Sequence, residues 1–432
     1  MNLKRLLPLF MLAFLAQLHA QEVAHVFRGA TFYPISSAAV SNGALVILNG
    51  KIVACGASGE IASPANAVEH DVHGKIIMPG LVDTHSHIGR VEGGDRSATL
   101  HPDVRVLDAI DVRHNSFSRA RAGGITTANI MPGSGHLMSG QTVYVKLRKA
   151  DKIEDMLYCE DPLNGVCGGM KMANGTNSLG KKPFSGTRAK SAAMVRQLYI
   201  KAQEYQKKMQ ATDPDKRPAR DLQMEALLQV LAGKRIVHFH THRHDDIMTV
   251  LRLAKEFGFR VVIQHGTEAW KVADEIAAAG VPCSIIVIDS PGGKLEAIEL
   301  SYKTGAILEK AGVDVAFHTD DPITDSRLFL RSAAIAVRGG MSRAKALEGL
   351  TLAPARMLDL ADRLGSLEKG KDADFIVLSG DPLSVYTHVE QTWVEGELLF
   401  DRARPEDLKY AVGGYNVFPR SNTVDLETEG GF

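Results

Sequence analysis

The sequence predicts an α/β protein: a (β/α)8 barrel with a small β-domain assembled from both ends of the chain. Three observations predict it. From about Ile76 to Leu364 short apolar strands alternate with amphipathic helices, the pattern of parallel strands joined by crossover helices. Strand-and-turn segments flank that middle on both sides. Histidines and an aspartate recur where the apolar strands stop, and a barrel carries its active site at those strand ends. A doubly wound open sheet is the alternative, but no GxGxxG opens a helix after the first strand.

Taken in order, residues 1–20 read as a cleavable signal peptide. Lys4 and Arg5 precede an apolar run from Leu6 to Leu18, and Ala20 offers a small residue before Gln21. The run is shorter than the roughly 20 residues that span a bilayer. A retained anchor is the competing reading; export predicts a secreted or periplasmic protein with no stable membrane insertion after cleavage. Residues 21–75 and 365–405 form the β-domain. Its strongest signals are Asn49-Gly50 between two apolar strands and Glu395-Gly396 in the later VEQTWVEGELLF, both hairpin turns. Residues 76–364 form the barrel, with candidate strands IIMPGLVDTHSH, GITTANIMP, RIVHFHTH, RVVIQHG, VPCSIIVI and DVAFHTDDP. Helices are expected at Asp246–Phe257 and Ala269–Ala279, with Gly258, Gly280 and Gly312 closing helices. Residues 156–231 read as an insertion with two polar helices, roughly Arg188–Gln210 and Ala219–Leu231, and 406–432 as a tail.

Composition narrows the function. Of 432 residues 45% are hydrophobic, enough for a large core, and fifty basic residues balance fifty acidic ones. That balance gives no footprint for nucleic acid or an anionic membrane. Four cysteines exclude a disulfide scaffold. Cys159 and Cys167 bracket a Pro/Gly-containing loop, and either a disulfide or two free thiols fits them.

The chemistry lies in the sixteen histidines. His85 and His87 end the first barrel strand, two apart and so on one face, a spacing suited to a divalent metal such as zinc. His238, His240, His242 and His244 share parity, so all four fall on one side while the chain stays extended. His265 ends RVVIQHG, and Asp320 ends FHTDDP with His318 on its face. Any one of these alone reads as a hydrogen-bonded core or surface residue. Imidazoles and a carboxylate at successive strand ends, in order, read as a metal site.

PGLVDTHSH, the later strand-end histidines, the terminal aspartate and DADFIVL resemble the amidohydrolase superfamily of metal-dependent hydrolases, in its imidazolonepropionase-like subgroup. The similarity runs from about Val26 to Phe400. It implies a distorted TIM barrel, a composite β-sandwich and a divalent metal, zinc foremost, one or two per chain. It makes His85 and His87 the first-strand ligands, His240 the fifth-strand ligand with His242 as companion, His265 the sixth-strand ligand, and Asp320 both ligand and proton acceptor. In the fourth strand it points to Lys171 in GGMKMANG, either a carboxylated bridge between two metals or an ordinary solvated lysine. Where members of the subgroup carry Gly-Glu-Asn-Pro after this lysine, this chain reads NGTNSLG. His136, His242, Arg243 and His318 are candidates to polarise a scissile carbonyl, and Asp321 to orient ligands or cap a turn. Asp95, Arg96 and His101 lie in the loop after the first strand, a loop that often meets substrate in such barrels, and carry no assigned role beyond that.

The implied activity is hydrolysis of a C–N bond in a small molecule: an amide, small peptide or N-acyl amino acid. A cyclic amide, as in imidazolonepropionase, is the enzymatic alternative. A catalytically inactive metal- or ligand-binding protein is the alternative of another class. A homo-oligomer is compatible with either.

Overall fold

The computed structural model describes residues 23–91, 93–287 and 294–414; residues 1–20, read as a signal, and most of the expected tail lie outside them. Within that tail, Pro405–Val412 is a helix, opened by a proline at its first turn.

Eight strand positions make the barrel: β1 (Leu81–Ser86), β2 (Ile125–Ile130), β3 (Met138–Gln141, continued by Val143–Lys146), β4 (Met170–Ala173), β5 (Val237–Thr241), β6 (Val261–His265), β7 (Cys283–Ile285) and β8 (Val315–Phe317). β1 pairs parallel with β2, and β4 through β8 pair parallel in sequence. β3 runs against them all: its first half pairs antiparallel with β4 and its second half with β2. Parallel neighbours need a long crossover, and no helix lies between Ile130 and Val143, so the third strand returns antiparallel. The expected strict alternation therefore fails at that one position, and the barrel is distorted. The ring closes between β1 and the end of β8, where Asp320 N donates to His85 O at 2.8 Å and Thr319 N donates to the Asp83 carboxylate at 3.1 Å.

The expected strand Ile76–His87 is two strands. Ile76–Pro79 joins a five-stranded sheet with Thr31–Phe32, Phe375–Leu378, Val389–Val394 and Glu397–Asp401. At Gly80 the chain crosses into the barrel, and a Cβ there would lie 2.3 Å from Thr126 Oγ1. That close approach explains the glycine of PGLVDTHSH. A four-stranded sheet holds His25–Arg28, Gly43–Leu48, Lys51–Ala57 and Val68–Asp71. Phe27, Leu45, Ile47, Ile77, Phe375, Val377 and Trp393 pack between the two sheets. Both anticipated hairpin turns take two residues at positive φ, Asn49 (52°) with Gly50 (71°) and Glu395 (48°) with Gly396 (77°).

The segment 156–231, expected as an insertion, contains β4 and then the crossover to β5. Its helix Arg188–Met209 starts with Thr187 accepting from Lys190 N. Val195, Leu198, Tyr199 and Ala202, at helical spacing, pack with Leu227 and Val230 of helix Leu222–Leu231 onto Met170, Met172 and Phe239 of β4 and β5. These helices wall the barrel. Helix His244–Phe257 begins two residues before its expected start and ends at Gly258 in the left-handed conformation (φ 71°). The stretch Ala269–Ala279 breaks into a turn, Ala269–Lys271, and a helix, Ala273–Ala278. Cys159 and Cys167 form a disulfide with Cα atoms 5.0 Å apart.

Candidate metal centre

β1 delivers Asp83, His85 and His87 on one face, as period-2 geometry requires. The Asp83 carboxylate accepts from Thr319 N, Thr319 Oγ1 and His85 N, so it clamps β1 to the end of β8. Burial pushes this acid up to about 7. His85 and His87 then reach Asp320: their Nε2 atoms lie 3.3 and 2.9 Å from its Oδ1. His87 Nδ1 donates to Met131 O at 2.7 Å, which leaves Nε2 aimed inward.

His265 and Asp320 hold left-handed backbone at φ 71° and 50°. Non-glycine residues rarely take that conformation, and it concentrates at functional sites. At both places the strand has ended and the backbone turns the side chain over the barrel mouth. His318 Nε2 sits 3.2 Å from His265 Nδ1, and its Nδ1 is 2.9 Å from Ser284 Oγ. The rings of His85, His240, His242, His265 and His318 pack within about 5 Å of one another in a continuous cluster, with His240 and His265 centroids 4.3 Å apart.

The two central histidines of β5 differ. Both nitrogens of His238 are engaged, by Tyr144 OH at 2.9 Å and Gln264 Nε2 at 3.1 Å. Both nitrogens of His240 are buried with no hydrogen-bond partner among the described residues. His244 leaves the row altogether, because the helix starts there and its Nδ1 binds Glu268 Oε2 at 2.6 Å.

Lys171 on β4 is fully buried, its Nζ 3.0 Å from His85 Nε2 and 3.1 Å from Met131 Sδ. Burial lowers its pKa to about 7; a solvated lysine is excluded by this position. Burial likewise holds His85, His240 and His265 well below the usual imidazole range, so they are neutral, the form that binds metal. Burial works against the Asp320 charge, but the hydrogen bond and charge of His87, with His318 and Lys171, hold its pKa below the usual carboxylate value.

The donor set fits a divalent metal. His85 Nδ1, His240 Nδ1 and Nε2, His242 Nε2 and His265 Nε2 are buried without hydrogen-bond partners among the described residues, and His85, His87 and Asp320 bring three ligand atoms within 4.8 Å of one another. Buried polar groups are almost always satisfied, and neutral imidazoles around a carboxylate suit zinc-like ions.

The remaining candidates fall elsewhere. The Arg243 guanidinium is spent on Asp245, at 2.9 and 3.0 Å, on the partly exposed first turn of helix His244–Phe257; its register at the helix start turns it from the cluster. His136, on the loop between β2 and β3, lies against Phe184 and against His101 of the loop after β1, with Gly94 of that loop beneath its ring. Asp321 binds Arg119 at 2.6 Å and Ser326 N and Oγ, while its carbonyl accepts from His87 N; its carboxylate is a turn anchor. Asp83 is read from the sequence only as context for the His85–His87 pair, and Glu296 escapes the sequence reading altogether. Asp83 was legible from parity with His85, whereas Glu296, buried against His240 and His242, follows no strand and carries no spacing signal.

A distorted barrel with such a cluster at its strand ends defines a metal-dependent hydrolase. Residues 76–399 match the model of the Amidohydrolase family. The chain belongs to the amidohydrolase family, in its imidazolonepropionase-like part, and is a hydrolase of C–N bonds acting on small molecules. The solved amidohydrolase of Thermotoga maritima MSB8 is 34% identical, covers 87% of this chain and 100% of its own, and superposes with a TM-score of 0.79. Amidohydrolase tasK of Hapsidospora irregularis is 25% identical over 372 residues, 78% of this chain but 38% of that protein's length. The imidazolonepropionase of Cupriavidus necator is 24% identical over 386 residues, 78% of this chain and 84% of its own.

Proposed function

We propose that this chain is an exported hydrolase of acyclic C–N bonds, in a small peptide or N-acyl amino acid, with zinc held by His85, His87, His240, His265 and Asp320, and with Lys171 positioned as a carboxylated bridge. The observation that carries this reading is Asp320: a partly buried carboxylate whose pKa is held below the usual value, 2.9 Å from His87 Nε2 and 3.3 Å from His85 Nε2, beside buried imidazole nitrogens with no hydrogen-bond partner among the described residues. A divalent ion bound there supplies Lewis acidity, lowering the pKa of a water towards about 7 and polarising a carbonyl. Asp320 turns Oδ1 to the two imidazoles, so Oδ2 takes the proton from the attacking water and returns it to the leaving nitrogen. His318 fixes the ring of His265 through the 3.2 Å contact to its Nδ1, which keeps Nε2 directed at the centre. Burial lowers the Lys171 pKa to about 7, so at neutral pH a large share of it is the free amine that reaction with carbon dioxide needs.

Export is supported by the basic-then-apolar run of residues 4–18 and by the Cys159–Cys167 disulfide, a bond that persists outside the reducing cytoplasm. Cyclic-amide hydrolysis is the second reading, favoured by the imidazolonepropionase whose length this chain largely spans.

The test is metal content per chain by mass spectrometry, paired with hydrolysis of dipeptides, N-acyl amino acids and lactams with and without chelator. Chelator-sensitive cleavage of the acyclic substrates is expected. Cleavage of lactams alone selects the second reading, and turnover indifferent to chelator and to loss of Asp320 overturns both.

A further inference from the structure

Away from the metal centre, beside helix Leu222–Leu231, the fold leaves a cavity of about 370 Å³, within the range of about 300–1,000 Å³ in which proteins hold small molecules. Arg235, just ahead of β5, and Cys167, just ahead of β4, line it, so it opens where these strands begin and not where they end. Three arginines and three acids line it, and four of the six pair off. Arg105 binds Asp108 at 2.9 and 3.0 Å, and Arg220 binds Glu225 at 2.7 and 2.8 Å. Arg235 and Asp103 are left over. Arg235 is 3% exposed, and its contacts are neutral: Nη1 donates to Gly168 O and Gly169 O, and Nε and Nη2 donate to Gln229 Oε1. Four of its five N–H groups are thereby used, and no carboxylate pairs with it among the described residues. Burial lowers its pKa to about 10, as expected of a cation without a counter-charge. Asp103 accepts from Gln223 Nε2 at 3.1 Å and has no cationic partner among the described residues.

An arginine is almost never fully buried unless it is paired, and here the cation and the carboxylate that lack partners lie on one cavity without meeting. A zwitterion satisfies both at once, with a carboxylate on the guanidinium, where charge-assisted hydrogen bonds are strong, and an ammonium on the acid. The lining also offers apolar contact from Leu107 and Ala226, and from Leu163 and Leu222, which stand exposed on the surface. We propose that this cavity binds a free α-amino acid with an apolar side chain, its carboxylate on Arg235, its ammonium on Asp103 and its side chain on Leu107, Leu163 and Leu222. Arg235 holds the carbonyls of Gly168 and Gly169, and Lys171 stands two residues further along on β4, so an occupant bears on the strand that carries the lysine. Hydrolysis of a peptide or an N-acyl amino acid releases such molecules, and the cavity then reads product. That consequence rests on the proposed function, whereas the binding does not.

Isothermal titration calorimetry on the full-length chain tests it, with L-leucine as the probe and three truncations beside it: 4-methylpentanoate without the ammonium, 3-methylbutylamine without the carboxylate, and glycine without the side chain. Inorganic phosphate is the further control. Leucine is expected to bind, and each truncated probe to bind at least about tenfold more weakly, in untreated, chelator-treated and His87→Ala protein alike. Asp103→Asn is expected to weaken leucine about tenfold and to leave 4-methylpentanoate unchanged, and Arg235→Met to abolish both. Absence of leucine binding overturns the proposal. So does leucine bound no tighter than 4-methylpentanoate or phosphate, which marks a plain anion site. Binding that chelator or His87→Ala removes also overturns it, because the leucine then sits at the metal centre. Turnover with and without chelator, measured on the same preparations, judges the hydrolase reading separately: turnover indifferent to chelator removes that reading and leaves the amino-acid site, and a failed titration beside chelator-sensitive turnover does the reverse. Should Arg235→Met not fold, Asp103→Asn and a crystal structure with leucine decide: density joining Arg235 to Asp103 is expected, and an empty cavity overturns the site.

Discussion

Two lysines of this barrel are completely buried, Lys146 at the end of β3 and Lys171 on β4, and their surroundings are opposite. Lys146 faces three carboxylates: Asp372 in a short contact, Asp374 at 3.1 Å and Glu395 at 3.2 Å. Lys51, Arg148 and Arg363 bind the same acids from outside. Burial opposes the Lys146 charge, but the carboxylates more than offset it and its pKa is raised. Lys171 meets an imidazole and a thioether, and burial wins. The compensated lysine clamps β3 to the C-terminal segment that supplies the five-stranded sheet; the uncompensated one is kept in a form fit for chemistry. Burial alone does not separate structure from function, but the identity of the partners does.

The largest test breaks the symmetry directly. Lys146→Met strands buried carboxylates, and losing one partner of a buried ion cluster costs about 3–5 kcal/mol. Lys171→Met replaces an uncompensated amine with an apolar side chain of similar length, so stability is expected to hold or rise. Urea titration of the metal-free proteins measures both. Activity should invert the order: Lys171→Met loses at least about 100-fold in kcat/KM, whereas the folded fraction of Lys146→Met keeps its rate. Equal destabilisation by the two changes would sink the contrast.

Asp320→Asn sharpens it at the strand-end pole. The proton acceptor is lost and the backbone is retained, since asparagine tolerates the left-handed φ of 50°. A fall of about 100-fold or more in kcat is expected, read at saturating substrate, with thermal unfolding little changed. A variant that still turns over at a tenth of the wild-type rate would remove Asp320 from the role of base.

How much of this was legible follows from the range of the signals. His85, His87, His265 and Asp320 end apolar strands, so local periodicity placed them, and Asn49-Gly50 and Glu395-Gly396 announced their own turns. Parity served for His238, His240 and His242 and failed at His244, where the chain leaves the strand for a helix. Lys171 was visible only as a lysine in a short strand-like piece. Its choice between solvent and core depends on His85, far away in sequence. Glu296 depends on Thr176 and Arg188 for its position, contacts more than a hundred residues distant, and no window of sequence holds them together. β3 was not among the strands read from the sequence, and its antiparallel direction, set by the absence of a helix between Ile130 and Val143, is not written in the pattern within it.

A smaller effect separates the poles by pH. Burial works against the charges of Asp372 and Glu395, but Lys146 and its cationic neighbours hold both below their usual values. Such groups stabilise the fold above the unfolded carboxylate pKa of about 4 and lose that contribution as pH falls through the folded value. Asp374 is raised by burial and has the opposite sign, which leaves two groups against one. Wild-type stability is therefore expected to decline below about pH 4, and in Lys146→Met the acid limb should be shallower by about 1 kcal/mol. Parallel acid limbs in the two proteins would show that Lys146 does not set these carboxylates.

The smallest effect belongs to Arg243, which sequence spacing brings beside the fifth-strand histidines. Its guanidinium pairs with Asp245 on the surface, with both side chains more than a third exposed, and such pairs contribute about 0–1 kcal/mol. Arg243→Ala is expected to change kcat/KM less than about twofold and stability by no more than about 0.5 kcal/mol. A tenfold loss of kcat would mean that the side chain swings to the cluster when substrate binds. The contrast between poles would then need a mobile cation as well as the buried Lys171.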